Sequence, residues 1–196
     1  MQDAHIPDGL LIPTNAMPHI DGIAIPHELY WVARAPAPLA GMRCPRLGFP
    51  WVKVAQAGFK HVVRLAASCA GYDPSPLHLL RETALEDLVS SLSPSDAQRE
   101  LDLIRKAAAI IAETLARGEG VVVHCMGGRG RTGTVLAAVL IQLGFPYDQV
   151  IAYLDQVHKL RGTNGWPESP WQAEVLRQFV PGPRAGDSSS AKALRK

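Results

Sequence analysis

The chain is short of several things. None of its apolar runs approaches the ~20 residues that a membrane-spanning helix needs, although 47% of its 196 residues are hydrophobic. No basic stretch followed by an apolar one marks its amino terminus, so no secretory signal is expected. It has only three cysteines, Cys44, Cys69 and Cys125, too few and too odd in number for a disulfide framework. That scarcity predicts a reducing, cytoplasmic setting. Charge of one sign is also lacking. The net charge is +2, so bulk electrostatics give no reason to expect a nucleic-acid partner. No internal repeat is visible. His61, His78 and His158 are scattered without metal-ligand spacing and read as surface or packing residues. Neither a metal nor an organic cofactor is expected.

What is present is concentrated in one segment, His124-Cys125-Met126-Gly127-Gly128-Arg129-Gly130-Arg131-Thr132-Gly133. The apolar run Val121-Val122-Val123 enters it and a strongly apolar stretch from Thr134 to Leu143 leaves it. This is strand, tight loop and helix, with the loop at the helix amino terminus. Such a loop turns backbone N–H groups toward one point and adds the positive end of a helix dipole, which suits a tetrahedral dianion. Met126, Gly127, Gly128, Arg129 and Gly130 would form this cradle. A helix amino terminus and nearby cations favour the thiolate form of a cysteine such as Cys125. Arg131 offers a planar fork matched to two phosphate oxygens. Thr132 can donate its hydroxyl to the sulfur and ease its departure. The parts suit attack by sulfur on phosphorus, giving a phosphocysteine that water then hydrolyses.

The flanking sequence reads as a single domain, residues 28–180, with an arm at 1–27 and a tail at 181–196. The arm holds Pro7, Pro13, Pro18 and Pro26 and little periodicity. The tail opens Pro181-Gly182-Pro183, continues Ser188-Ser189-Ser190, and is expected to be disordered. Short strands are predicted at 29–33 and 39–40, a helix at 47–57, and a strand at 61–66. Ser93-Pro94-Ser95-Asp96 reads as a cap, a first-turn proline and an acidic third position. The helix that follows carries Ala97, Leu101, Ile104, Ala108, Ile111 and Leu115 on one stripe. A strand at 121–124 is apolar on both faces and therefore central. Helices are predicted at 132–143, from Pro146 to Arg161, and from Ser169 onward. The alternation implies an α/β fold with a central, mainly parallel sheet flanked by helices.

The pattern His-Cys-x5-Arg-Thr resembles the signature of cysteine-dependent tyrosine and dual-specificity phosphatases. Leu39-Ala40-Gly41 with Cys44-Pro45, and the stretch from Gly58 to Leu65, are similar to strands of the small dual-specificity enzymes. The resemblance implies a phosphotyrosine-phosphatase-like fold and hydrolysis of phosphomonoesters on proteins, phosphotyrosine first and phosphoserine or phosphothreonine as well. It also implies a general acid on a loop ahead of the cysteine. Ala84-Leu85-Glu86-Asp87 resembles that loop, with Asp87 lying 38 positions before Cys125. Asp96, Glu86 and Asp73 are the alternatives. Trp166-Pro167-Glu168 resembles the acid loop of tyrosine-specific phosphatases but follows the cysteine, out of register. It matches a later loop instead, in which Gln172 and Glu168 would position water. His124 would brace the nucleophile's loop. A cysteine at the place of Cys69 forms a disulfide with the nucleophile in some lipid phosphatases of this superfamily; a small buried residue is the plainer reading. Arg129 adds a cation to the loop, as in inositol-lipid phosphatases, so a phosphoinositide or inositol phosphate substrate is the alternative. A phosphate-binding module without turnover is the other.

Overall fold

The computed structural model describes residues 11–69, 71–89 and 92–180. The predicted tail and the first ten residues of the arm lie outside that range. Five strands form one sheet in the order β1-β2-β5-β3-β4. They are β1 (Leu29–Ala33), β2 (Leu39–Met42), β3 (Phe59–Arg64), β4 (His78–Glu82) and β5 (Gly120–His124). Only β1 runs antiparallel to its neighbour; β2, β5, β3 and β4 are parallel. Five α-helices cover the sheet: α1 (Trp51–Gln56), α2 (Ala97–Ala116), α3 (Gly130–Gln142), α4 (Tyr147–Leu160) and α5 (Pro170–Leu176).

Period-two alternation along β5 divides the core. Val121 and Val123 enter one apolar cluster, and Val122 enters the other. The larger cluster gathers Leu101, Ile104, Ile111 and Leu115 of α2 with most of α3, whose Val135 to Leu140 are wholly buried. The smaller one joins Trp31, Phe49, Trp51 and Phe59 with Ile12, Ile20 and Ile23. The described part of the arm is therefore packed into the domain. It is also pinned by backbone bonds such as Ile12 N–H to Val32 O at 3.0 Å.

Helices α1 and α2 start later than expected, α3 opens earlier at Gly130, and β4 is an additional strand. Residues 47–50 are not helical: Gly48 takes a positive φ of 70°, Phe49 N–H turns back to Arg46 O, and Pro50 caps α1. A proline at that point cannot lie in a helix interior. The second long helix begins at Ala97, capped by Asp96, whose carboxylate accepts Arg99 N–H at 3.0 Å. Ser95 is drawn aside because its N–H and hydroxyl both donate to Glu86. Strand β4 is an edge strand of half-exposed residues, so it carries no alternation that would announce it.

Because β2, β3, β4 and β5 are parallel, their following loops all emerge at one edge of the sheet. The loops after Met42, Arg64, Glu82 and His124 meet there, where open α/β sheets bind ligands.

Candidate active site

Cys125 directly follows β5 and is only 3% exposed. It is the single cysteine with a free thiol. The loop from Met126 to Arg129 follows, and Gly130 opens α3. Gly128 has a φ of 68°, and a Cβ there would collide with the backbone of Met42 and Arg43. Only glycine lets the loop turn so close to β2.

A loop that aims its N–H groups inward must turn its carbonyls outward, and each buried carbonyl then needs a donor. All five find one. Cys44 N–H donates to Met126 O at 2.8 Å. Arg161 donates to Gly127 O at 3.1 Å and Gly128 O at 2.8 Å, and the Tyr30 hydroxyl adds a second bond to Gly128 O at 2.9 Å. Gly133 N–H donates to Arg129 O at 2.7 Å. Thr134 and Trp166 serve Gly130 O at 2.9 and 3.4 Å. Trp166, from the out-of-register motif, thus braces the loop from the far side.

Arg131 is buried at the start of α3, and its Nη2 lies 2.8 Å from the Asp87 carboxylate. Asp87 itself is 61% exposed. The three alternative carboxylates are occupied locally. Asp96 caps α2, Glu86 binds Ser95, and Asp73 accepts the N–H and hydroxyl of Ser75. Hydrogen bonds from Ser95 and from Ser75 hold the Glu86 and Asp73 carboxyls below their ordinary values.

Gln172 is buried and joins two parts of the site. Its Oε1 accepts Glu168 N–H at 2.8 Å and its Nε2 donates to Leu88 O, next to Asp87, at 3.5 Å. The same Oε1 also accepts Ser169 N–H at 3.4 Å at the start of α5. The Glu168 carboxylate pairs with Arg129 at 3.2 Å and lies against Gly130, where a Cβ would collide with it. Burial raises the Glu168 carboxyl above its ordinary value, opposed by Arg129 and the Gly130 N–H. Arg129 also donates to Gly165 O at 2.5 Å. Its charge is therefore turned toward α5.

The Thr132 hydroxyl is buried and has no hydrogen-bond partner, so the expected bond to sulfur is not formed in this structure. His124 is wholly buried beneath the loop. Its Nδ1 lies 3.2 Å from Cys125 O, and its Nε2 meets the Tyr72 hydroxyl. Burial lowers its pKa to about 4, which keeps it neutral.

Cys69 is buried in the core, as the plainer reading expects, but the disulfide with the nucleophile is not formed. Cys69 is bonded to Cys44 instead. The disulfide joins the loops after β2 and β3 on either side of β5, and Cys69 Sγ lies 3.6 Å from His124 Nδ1. Three cysteines therefore make one pair and one thiol. The odd count concealed a pair because the partners lie 25 positions apart, in loops that follow two strands separated by β5.

Sequence reasoning missed Glu100 and Arg161. Glu100, on the first turn of α2, is buried and accepts Glu86 N–H at 2.9 Å, fixing the residue beside Asp87. Burial raises its pKa to about 7, against the pull of Arg99 and Arg131. An acidic residue in a first helical turn looks like ordinary dipole compensation, so nothing singled it out. Among the described residues no cluster of His, Cys, Asp and Glu could hold a metal ion, and no helix is long and apolar enough to cross a membrane.

Comparison with known proteins gives a consistent picture. Residues 50–145 match the family model "Tc-R-P: Polymorphic toxin system, DSP-PTPase phosphatase". Among solved structures, Tk-PTP in its active form is 25% identical, with a TM-score of 0.52, over 72% of this chain and 90% of that one. Human DUSP28 is 20% identical, with a TM-score of 0.54, over 72% and 86% of the two chains. PTPMT1 in complex with PI(5)P is 20% identical, with a TM-score of 0.53, over 72% and 88%.

Proposed function

For this chain, which belongs to the cysteine-dependent tyrosine and dual-specificity phosphatase superfamily, we propose two-step hydrolysis of phosphomonoesters on proteins. The substrate is phosphotyrosine, with phosphoserine and phosphothreonine accepted too. The observation that carries this reading is the pairing of Asp87 with Arg131 at 2.8 Å, beside the free Cys125. A phosphoryl group held by the fork of Arg131 brings its leaving oxygen next to the one carboxyl of the four that no local bond occupies.

In the first step the Cys125 sulfur attacks phosphorus as the bond to the leaving oxygen breaks. Asp87 gives its proton to that oxygen. The loop amides of Met126 to Gly130 and the guanidinium of Arg131 hold the three remaining oxygens. In the second step water attacks the phosphocysteine, Asp87 takes back a proton, and the sulfur leaves with help from the Thr132 hydroxyl. Glu168 and Gln172, tied together and set against Gly130, position that water. His124, neutral beneath the loop, braces it.

The inositol phosphate alternative drew on Arg129. That side chain is engaged by Glu168 and the Gly165 carbonyl, which favours the phosphoprotein reading. The cytoplasmic setting follows from the reduced thiol that catalysis requires. In that setting Cys44 and Cys69 would persist as thiols, whereas an oxidising compartment keeps them bonded.

The test is turnover of para-nitrophenyl phosphate, followed by a panel of phosphopeptides and inositol phosphates. Cys125→Ser should abolish turnover and leave binding of inorganic phosphate measurable. No turnover by the parent chain, with phosphate still bound, would make it a binding module. Preference for inositol phosphates over phosphopeptides would overturn the substrate class alone.

A further inference from the structure

Arg161 follows α4 and is 8% exposed, yet among the described residues no carboxylate pairs with it. Its five donors go to uncharged acceptors. Nε donates to Pro26 O at 3.0 Å and Nη2 to His27 O at 3.2 Å. Nη2 also reaches Gly127 O at 3.1 Å, and Nη1 reaches Gly128 O at 2.8 Å and His158 Nδ1 at 3.0 Å. The guanidinium lies 4.5 Å from the centre of the Tyr30 ring. Since a guanidinium can only donate, His158 Nδ1 must accept, and its proton sits on Nε2. Burial and the neighbouring arginines lower the His158 pKa to about 3, so it adds no competing charge.

A buried cation normally has an ionised partner. Here burial pulls the Arg161 pKa below its ordinary value, and the Tyr30 hydroxyl and then Cys125 oppose that shift. We propose that Arg161 is a positioning residue that presets the phosphate cradle, holding the Gly127 and Gly128 carbonyls outward while its charge acts on Cys125. The same side chain ties the cradle to the arm, through the Pro26 and His27 carbonyls. The function of the loop thereby depends on a segment 100 residues or more away in sequence. The proposal rests on the phosphocysteine reading, but its test needs no chemistry, so the two can fail separately.

The measurement is tungstate affinity by titration calorimetry in the Cys125→Ser background. Adding Arg161→Gln should weaken binding about tenfold or more, which is ~1.4 kcal/mol or more. Arg161→Lys keeps the charge but cannot span two carbonyls, and should weaken it as well. A second readout, in chains that keep Cys125, is the pH dependence of its alkylation by iodoacetamide, followed on its peptide by mass spectrometry. Arg161→Gln should move that curve to higher pH, while Arg161→Lys should leave it near the parent's. A residue that merely supports the fold would lower the melting temperature and move neither curve. Cooperative melting of both variants with parental tungstate affinity and parental alkylation would overturn the proposal. If Arg161→Gln does not fold, the lysine variant decides by affinity. If neither folds, Tyr30→Phe decides: loss of one donor to Gly128 O should weaken tungstate severalfold, and an unchanged affinity would overturn the idea.

Discussion

Two loops meet at Arg131, and they are built differently. The loop that holds Cys125 has every carbonyl from Met126 to Gly130 bonded, by donors drawn from β1, α3 and segments after β2, α4 and before α5. The loop that holds Asp87 hangs on a few side chains: Glu100 on Glu86 N–H, Gln172 on Leu88 O, and Glu86 on Ser95. Its aspartate is exposed, whereas the cysteine is almost fully buried. A cradle for a fixed tetrahedral shape gains from rigidity. An acid that must meet leaving groups of varied size gains from access. The comparison teaches that one site can combine a part whose carbonyls are all bonded with a part held by a few scattered contacts.

The most severe break is on the rigid side. Cys125→Ser should reduce turnover to background, and Arg131→Lys should lower kcat by about 10²–10³-fold, because a point charge replaces a bidentate fork. Steady-state kinetics on an aryl phosphate reads both, and a lysine variant with most of its activity would remove Arg131 from the transition state.

Asp87→Asn tests the exposed side. Hydrolysis of phenyl phosphate or a phosphoserine peptide should slow by about 10²–10⁴-fold, with far less effect on an activated aryl phosphate. The basic limb of the pH–rate profile should flatten. Asp96→Asn should instead lower only the melting temperature, through the cap of α2. If the leaving-group dependence appears with Asp96→Asn, the acid has been misassigned.

Gln172→Ala sharpens the contrast, because it cuts the tie between the two sides. We expect kcat to fall by about tenfold, of the order of one lost buried hydrogen bond, with KM for para-nitrophenyl phosphate little changed. A rise in KM with constant kcat would move Gln172 from water positioning to substrate binding.

The smallest effect is one of stability. Glu100 has its carboxyl raised from 4.5 to about 7 in the folded chain. The folded state therefore holds that proton more tightly than the unfolded one. Its contribution is fully present below the unfolded value and is lost as pH rises through about 7. Glu100→Gln stays neutral and still accepts Glu86 N–H. Its melting temperature relative to the parent should rise by a few degrees between pH 5 and pH 8. A pH-independent difference would show that Glu100 is not a protonated acid at the lower pH.

Legibility followed the same division. The cradle is contiguous in sequence, so Cys125, Arg131 and the glycines could be read directly, along with the strand and helix that frame them. Asp87 was singled out because its loop comes in order ahead of α2, and the structure sets it 2.8 Å from Arg131. The parallel sheet followed from alternation of elements. Arg161, Glu100 and Tyr30 act through tertiary contacts that no short pattern encodes, and each looks locally like an ordinary helix-end or strand residue. The late starts of α1 and α2 have separate causes: the chain turns at Gly48 before Pro50 caps α1, and Glu86 takes Ser95, which leaves Asp96 to cap α2.

The Cys44–Cys69 bond has a consequence for how the enzyme would endure oxidants. Peroxide converts an accessible catalytic thiolate to a sulfenic acid, which a neighbouring thiol can trap before it advances to the irreversible sulfinic form. With Cys44 and Cys69 joined to each other, the chain holds no further thiol that could do so. In that state, rescue of Cys125 depends on thiols from outside the molecule.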